Sequence, residues 1–430
     1  MSFADLGLNP ELQRAVAESG YTQPTPIQMQ AIPVILAGLD VMGGAQTGTG
    51  KTAGFTLPLL QRLAPHASTS TSPARHPVRA LILAPTRELA VQVHESVKTY
   101  SKYVPLRSAC IYGGVDMRAQ VAELRTGIEI VVATPGRLLD HVQQKTIQLG
   151  QVEVLVLDEA DRMLDMGFIP DIKRILELLP SARQSLLFSA TFSDEIKRLA
   201  DQMLKNPQLI EVARRNMVSE TITHRVHPVS SGLKRNLLAQ LLRNQPDTQA
   251  LIFVDTKLLC GRLAHFLVRH EIAADAIHGD KGQAQRSDTL EAFKSGRLRV
   301  LVATDVAARG LDIDDLPMVI NYELPHTAED YVHRIGRTGR AGRTGYAVSL
   351  VSSEEKSRLA EIEKLIKLQI PQEIVPGFAP EPDYFEAGTH KKRSHRPESF
   401  DTPEPRRESR REQRGDPGAR PARGIGRAHV

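Results

Sequence analysis

The sequence predicts two tandem α/β domains, each an open parallel sheet with helices on both faces, followed by a basic tail. Aliphatic runs of strand length alternate with segments of helical spacing, at residues 80–83, 128–132, 154–157, 185–188 and 209–212. The runs are continuous rather than alternating, as expected of strands covered on both faces. The pattern then repeats at 250–254, 274–277, 300–302, 318–320 and 346–350. A chain of 430 residues is too long for one core, so two similar domains with a crevice between them are expected. The expected boundaries are 1–212 for the first domain, 213–221 for a polar linker, 222–375 for the second domain and 376–430 for a disordered tail.

Composition narrows the class. Cys110 and Cys260 are isolated, which offers neither a zinc site nor a disulfide framework and fits a reducing cytosol. The start MSFADLGLNPELQ has no basic segment leading into an apolar run, and no stretch is apolar enough to span a bilayer, so a soluble cytoplasmic protein is expected. The net charge of +5 resides in the tail. From Gly388 onward there are 12 Lys and Arg against 6 Asp and Glu. The tail therefore offers either a diffuse, salt-sensitive grip on nucleic acid or an inert solubilising segment. It has no aromatic residue after Phe400, so base stacking there is not expected.

Near the N-terminus, residues 3–19 carry an amphipathic pattern with Asn9-Pro10 as a helix start. Pro24 and Pro26 then lock an extended entry, and Gln28 opens the next helix. Read locally this is a proline-rich turn. Its position ahead of a phosphate loop adds a second reading, because a Gln amide donates and accepts at once, as an adenine edge requires. That loop is Ala45-Gln46-Thr47-Gly48-Thr49-Gly50-Lys51-Thr52. Gly48 and Gly50 free the backbone to turn its amides onto an anion, and a helix beginning near Gly50 aims its positive end at the same point. Lys51 supplies charge to the outer phosphates, and the Thr52 hydroxyl is placed for Mg2+. Beyond the helix, the Ser, Thr and Pro of residues 65–77 predict a mobile surface loop.

In parallel sheets, function gathers at the carboxyl ends of strands. Residues 154–157 deliver Asp158-Glu159-Ala160-Asp161. Asp158 suits the second Mg2+ position, largely through water, and Glu159 can orient or deprotonate an attacking water. The plainer alternative is a helix N-terminus satisfied by carboxylates. Ser189-Ala190-Thr191 closes the next strand, with hydroxyls that either bond to the acidic turn or cap a helix. Pro85-Thr86-Arg87-Glu88, Gly113-Gly114 and Thr134-Pro135-Gly136-Arg137 read as ordinary loops or as contacts to a phosphate backbone. Late in the chain, His333-Arg334-Ile335-Gly336-Arg337-Thr338-Gly339-Arg340 spaces arginines by three. The choice is between a solvated basic face and arginine fingers, Arg337 and Arg340, that reach a γ-phosphate when the domains close.

Taken together and in this order, these motifs resemble the DEAD-box ATP-dependent RNA helicases from Phe3 to about residue 370. The opening SFADLGL, the stretch LDMGFIPDIKRILELLP and the short basic tail are most similar to the bacterial RhlE type. The resemblance implies two RecA-like domains, with ATP and Mg2+ as the bound cofactors. It implies that Phe3 stacks on adenine while Gln28 bonds to it, and that Gly310 and Asp312 of ATDVAARGLD touch nucleotide. Ser189, Thr191 and His333 would couple ATP state to strand separation. RNA contacts would be Thr86, Arg87, Gly114, Thr134 and Arg137, then Thr256, Gln283, Arg286 and Thr304.

The function so implied is RNA-stimulated ATP hydrolysis that locally unwinds short RNA duplexes or remodels ribonucleoprotein, acting as a monomer on single-stranded and short duplex RNA. Ribosome assembly and RNA decay are the settings the resemblance suggests. Two alternatives use the same residues: an ATP-gated clamp on RNA, and an ATPase directed at DNA or protein. The preference for RNA over DNA comes from the resemblance alone, although 2′-hydroxyl contacts are its physical requirement.

Overall fold

Seven parallel strands build the first sheet: β1 (Val41–Gly44), β2 (Ala80–Leu83), β3 (Ser108–Ile111), β4 (Ile130–Ala133), β5 (Val154–Leu157), β6 (Gln184–Ser189) and β7 (Gln208–Glu211). Their spatial order is β3-β4-β2-β5-β6-β1-β7. The second sheet holds β8 (Ile222–Pro228), β9 (Ala250–Val254), β10 (Ala274–Ile277), β11 (Val300–Thr304), β12 (Met318–Asn321) and β13 (Gly345–Val351), in the order β10-β11-β9-β12-β13-β8. These features come from a computed structural model that describes residues 2–45, 48–211, 221–308, 311, 313, 315–339 and 344–385.

Alternation across a two-faced sheet explains the continuous apolar runs. In the first sheet Ile82, Val132, Val156 and Leu186 pack on one side with Phe55, Leu59 and Leu60. Leu81, Val131, Leu155 and Leu187 pack on the other with Leu138, Met163, Ile172 and Leu199. The second sheet repeats this division, with Ile252, Val302 and Ile320 on one face and Leu251, Leu301 and Val319 on the other. Since successive strand residues point to opposite faces, both sets must be apolar.

Edges depart from the expected pattern. β3 is half-buried and β8 alternates, with Ile222 and Val226 buried while Thr223 and Arg225 are exposed, so neither shows a continuous apolar run. A second departure corrects the boundary expected at residue 375. Val226 N–H donates to the Pro371 carbonyl at 3.0 Å and Glu373 N–H donates to the Val226 carbonyl at 2.9 Å, so the segment after the last helix covers the open edge of β8. Residues 376–385 belong to the same packing: Glu381 accepts from Ser231 N–H at 2.8 Å, and Tyr384 is 2% exposed with its hydroxyl on Gln372.

The Ser/Thr/Pro segment at 65–77 is also corrected, from mobile to pinned. His76 is buried, with Nδ1 2.5 Å from Glu129 Oε1 and Nε2 2.7 Å from the Ser70 carbonyl. Arg107 Nη2 donates to that same carbonyl at 2.7 Å. Gly127 has a φ of +83°, and a Cβ there would lie 2.8 Å from Pro73, so the segment sits directly on the backbone.

Tyr384→Ala should destabilise the second sheet's lobe by about 3 kcal/mol, the usual cost of removing a buried aromatic ring. Urea unfolding of the variant, beside a chain ended at residue 375, checks this, and both should show a lowered midpoint.

Candidate active site

Gly48 and Gly50, at φ +81° and +88°, adopt backbone conformations that only glycine takes without cost, and Gly50 caps the helix Lys51–Leu63. A Cβ on Gly50 would stand 2.5 Å from Gln28 Nε2. Gln28 is 3% exposed, and its amide is engaged at both ends: Oε1 accepts from Thr25 N–H at 2.9 Å and Nε2 donates to the Gly50 carbonyl at 3.0 Å. In this structure Gln28 braces the phosphate loop. Phe3 is 7% exposed and lies in the aliphatic cluster with Leu6, Leu8 and Leu12, so its ring packs against core side chains. Gln46 and Thr47 lie outside the described residues.

Lys51 is the first residue of its helix and Thr52 the second, so both sit where the helix dipole is positive. Lys51 Nζ lies 3.7 Å from Asp158 Oδ1, with both side chains buried. Neither atom has a hydrogen-bond partner. A buried ammonium and a buried carboxylate with unfilled bonding capacity are costly, and they fit a site that receives a polyphosphate and its cation. Burial pushes the Asp158 carboxyl up to about 6, with Lys51 opposing and Glu159 adding to the rise. Among the described residues no group of three or more His, Cys, Asp or Glu side chains could hold a metal ion. One carboxylate and one hydroxyl are the donors that the chain offers here.

Sheet order joins the remaining motifs of the first lobe. β6 lies between β5 and β1, so Ser189 and Thr191 emerge between the acidic turn and the phosphate loop. Asp161 Oδ2 accepts from the backbone N–H of Ala190 and Thr191, both at 3.2 Å, and from Thr191 Oγ1 at 3.4 Å. Asp161 N–H donates to Ser189 Oγ, which donates to the Thr191 carbonyl at 2.7 Å. The two hydroxyls therefore bond to the acidic turn and its neighbouring segment. The helix Asp194–Met203 is capped instead by Ser193, which accepts from Ile196 N–H. Glu159 takes a left-handed backbone, φ +55° and ψ +56°, and its Oε2 accepts from Arg162 Nη1 at 2.6 Å.

Thr86, Gly114 and Thr134 follow β2, β3 and β4, which adjoin one another, so they line a continuous rim beside β5. Thr86 Oγ1 accepts from Leu89 N–H and caps the helix Arg87–Tyr100. A Cβ on Gly114 would overlap the Arg87 guanidinium at 2.2 Å, so that glycine makes room for the arginine. Arg137 donates to the Val115 carbonyl and to Gln120 Oε1, both at 3.2 Å.

In the second lobe Thr256 caps the helix Lys257–Arg269, and Thr304 ends the adjoining strand β11. Gln283 starts the helix Gln283–Lys294, and Arg286 on that helix pairs with Glu88 of the first lobe at 2.8 Å. Arg337 is 7% exposed, with Nη1 donating to the Leu311 carbonyl at 3.0 Å. His333 Nδ1 stands 4.0 Å from Asp330. Gly310, Asp312 and Arg340 lie outside the described residues. Within the same motif Arg334 is 1% exposed and forms a fork on Asp305 at 2.7 and 2.6 Å, with further bonds to Asn321 Oδ1 and the Glu323 carbonyl. It ties β11, β12 and the helix Ala328–Ile335 together. Arg334, Asp161, Arg162 and Glu88 were given no part by sequence reasoning. Arg334, Asp161 and Glu88 lie inside recognised motifs, which could have pointed to them, whereas Arg162 lies just beyond one and carries no such signal.

Comparison with known proteins gives this geometry a family. The DEAD/DEAH box helicase profile matches residues 25–199, and the helicase conserved C-terminal domain profile matches residues 233–342. The DEAD-box ATP-dependent RNA helicase RhpA of Helicobacter pylori is 42% identical over 369 residues, covering 86% of this chain and 73% of that protein. The chain belongs to the DEAD-box helicases. DeaD of Escherichia coli, an ATP-dependent RNA helicase, is 44% identical over 376 residues, covering 87% of this DEAD-box chain and 58% of DeaD. Dbp5 of S. cerevisiae bound to RNA and ADP BeF3 superposes with a TM-score of 0.77 at 32% identity, over 89% of this chain and 96% of Dbp5.

Replacing Arg334 with Ala in this DEAD-box protein should cost about 3 to 5 kcal/mol, because it leaves the Asp305 carboxylate without its partner in a largely buried setting. Lys cannot supply the fork and should fail to restore stability. Thermal unfolding of the two variants reads this directly.

Proposed function

We propose that the chain is an ATP-dependent RNA helicase in which hydrolysis of one bound ATP drives local separation of a short RNA duplex or remodelling of a ribonucleoprotein. The observation that carries the nucleotide site is the buried Lys51–Asp158 pair with unfilled bonding capacity, set at the carboxyl ends of β1 and β5. The Dbp5 structure bound to RNA and ADP BeF3 supports the extension to RNA through its likeness over most of the chain.

In this reading Lys51 binds the outer phosphates and the loop residues Gln46, Thr47, Gly48, Thr49 and Gly50 cradle them. Thr52 and Asp158 hold Mg2+, largely through water. When bound, Mg2+ neutralises charge on the transferring phosphoryl group. Glu159 orients the attacking water and accepts its proton. Arg337 and Arg340 complete the charge around the γ-phosphate once the lobes meet, and Ser189, Thr191 and His333 report that state to the RNA face. Phe3 and Gln28 select adenine, which requires the Gln28 amide to exchange its present bonds, and Gly310 and Asp312 touch nucleotide from the second lobe. Thr86, Arg87, Gly114, Thr134 and Arg137 hold one part of the strand, and Thr256, Gln283, Arg286 and Thr304 the other. For Arg286 that means leaving Glu88. ATP and single-stranded RNA then close the crevice together, and hydrolysis reopens it.

The reading extends to a monomer acting in the cytoplasm, close to the RhlE type, with ribosome assembly or RNA decay as its setting. No helix among the described residues is long and apolar enough to cross a membrane.

Lys51→Ala should abolish ATP turnover; a variant that hydrolyses ATP at the parent rate removes the site assignment. ATPase rates with RNA, with DNA and with no polymer should rank RNA first. A pH series tests Asp158. Its carboxyl is pushed up to about 6, so it gains a proton as pH falls through that value, and Mg2+–nucleotide affinity should weaken by about tenfold per unit below it. Removing residues 388–430 should weaken RNA binding most at low salt, and equal affinities of the two chains would exclude a role for the tail in RNA binding.

A further inference from the structure

Three carboxylates leave β5 within four residues, and each has a different partner. Asp158 faces Lys51 at 3.7 Å, Asp161 holds the segment after β6, and Glu159 is held by Arg162. The first two arrangements belong to motifs already assigned. Arg162 lies just beyond the Asp-Glu-Ala-Asp sequence, on the short helix Ala160–Asp165, three residues after Glu159.

We infer that Arg162 is a positioning residue for hydrolysis, acting through Glu159. Its Nη1 donates to Glu159 Oε2 at 2.6 Å, and the two side chains are 8% and 9% exposed. A short charge-assisted bond between two buried side chains fixes the rotamers of both. It therefore sets the plane of the Glu159 carboxylate, and with it the direction from which that group accepts a proton. The backbone is fixed as well. Glu159 has a left-handed conformation that costs energy for any residue with a Cβ. The N–H groups of Arg162 and Met163, each 3.1 Å from the Glu159 carbonyl, hold it there. Without the guanidinium, the charged bond that fixes the Glu159 carboxylate is lost while the repulsion between Glu159 and Asp158 remains. Misplacement of a reacting group by about an ångström costs up to ~100-fold in rate.

This inference rests on the proposed role of Glu159, and the test separates the two. ATP turnover at saturating RNA is measured for the full chain and for Arg162→Gln, Arg162→Lys, Glu159→Gln and the Glu159→Gln/Arg162→Gln pair. Mant-ADP affinity and the melting temperature are measured alongside. Arg162→Gln should lower kcat by about 10- to 100-fold, with KM for ATP and mant-ADP affinity within about twofold of the parent. Arg162→Lys, which keeps the charge but carries it on a differently shaped head group, should recover part of that loss. In the Glu159→Gln background the second substitution should change the residual single-turnover rate by less than about twofold, because the group it positions is already lost.

A KM that rises, or a mant-ADP affinity that falls, in step with the loss of kcat overturns the proposal. So does an unchanged kcat in Arg162→Gln, or a loss that multiplies in the Glu159→Gln background. If Arg162→Gln does not fold, Arg162→Lys decides: a several-fold loss of kcat alone, absent in the Glu159→Gln background, upholds the proposal, and parent kcat or a loss shared with KM overturns it. Parent activity in Glu159→Gln would instead remove the reading of Glu159, whatever Arg162 does.

Discussion

Negative charge packed at the end of one buried strand is the constraint on which the first lobe depends. Asp158, Glu159 and Asp161 cannot share an environment, because like charges at such spacing drive one another to protonate or swing away. The fold assigns them three separate cations or donor sets: an ammonium from the helix after β1, a guanidinium from their own helix and the backbone amides after β6. This division works only because β6 lies between β5 and β1. Strand order therefore fixes what Asp158 and Asp161 meet, while the partner of Glu159 is set locally, three residues along its own helix.

A similar economy governs the second lobe. Arg334 satisfies Asp305, Asn321 and the Glu323 carbonyl from one side chain, so the ends of β11 and β12 are tied to the helix Ala328–Ile335. Lys234 and Glu355 form another buried pair, at 2.5 Å, with Lys234 also on the Tyr322 carbonyl and Glu355 on the Leu324 amide. Paired in this way, buried charges specify geometry more than they add stability.

The central strands were legible because a strand covered on both faces has to be apolar at every position. β2, β5 and β9 coincide with the expected runs, whereas β3 and β8, at open edges of the two sheets, have no such requirement and carry no continuous apolar run. The glycine turn before Lys51 and the acidic turn after β5 were legible because left-handed backbone calls for glycine and a run of carboxylates stands out at the end of an apolar strand. What the sequence concealed was the choice among partners. Ser189 and Thr191 could have capped a helix, and only the sheet order shows that Asp161 takes them while Ser193 caps. The three arginines of residues 334–340 look alike in sequence, yet Arg334 is locked into the lobe's interior. In the segment at 65–77, composition suggested freedom because hydroxyls and prolines favour solvent. Its tether, Glu129, lies far along the chain at the start of β4, where no local pattern could reveal it.

That tethered segment enters β2 at the amino end of the sheet, on the rim opposite the nucleotide loop. Thr71 to Arg75 form an exposed tip on a base locked by His76 and Glu129. A reporter dye attached at Ala74 would therefore ride on the first lobe as a rigid handle, at the opposite end of the strands from Lys51 and Asp158.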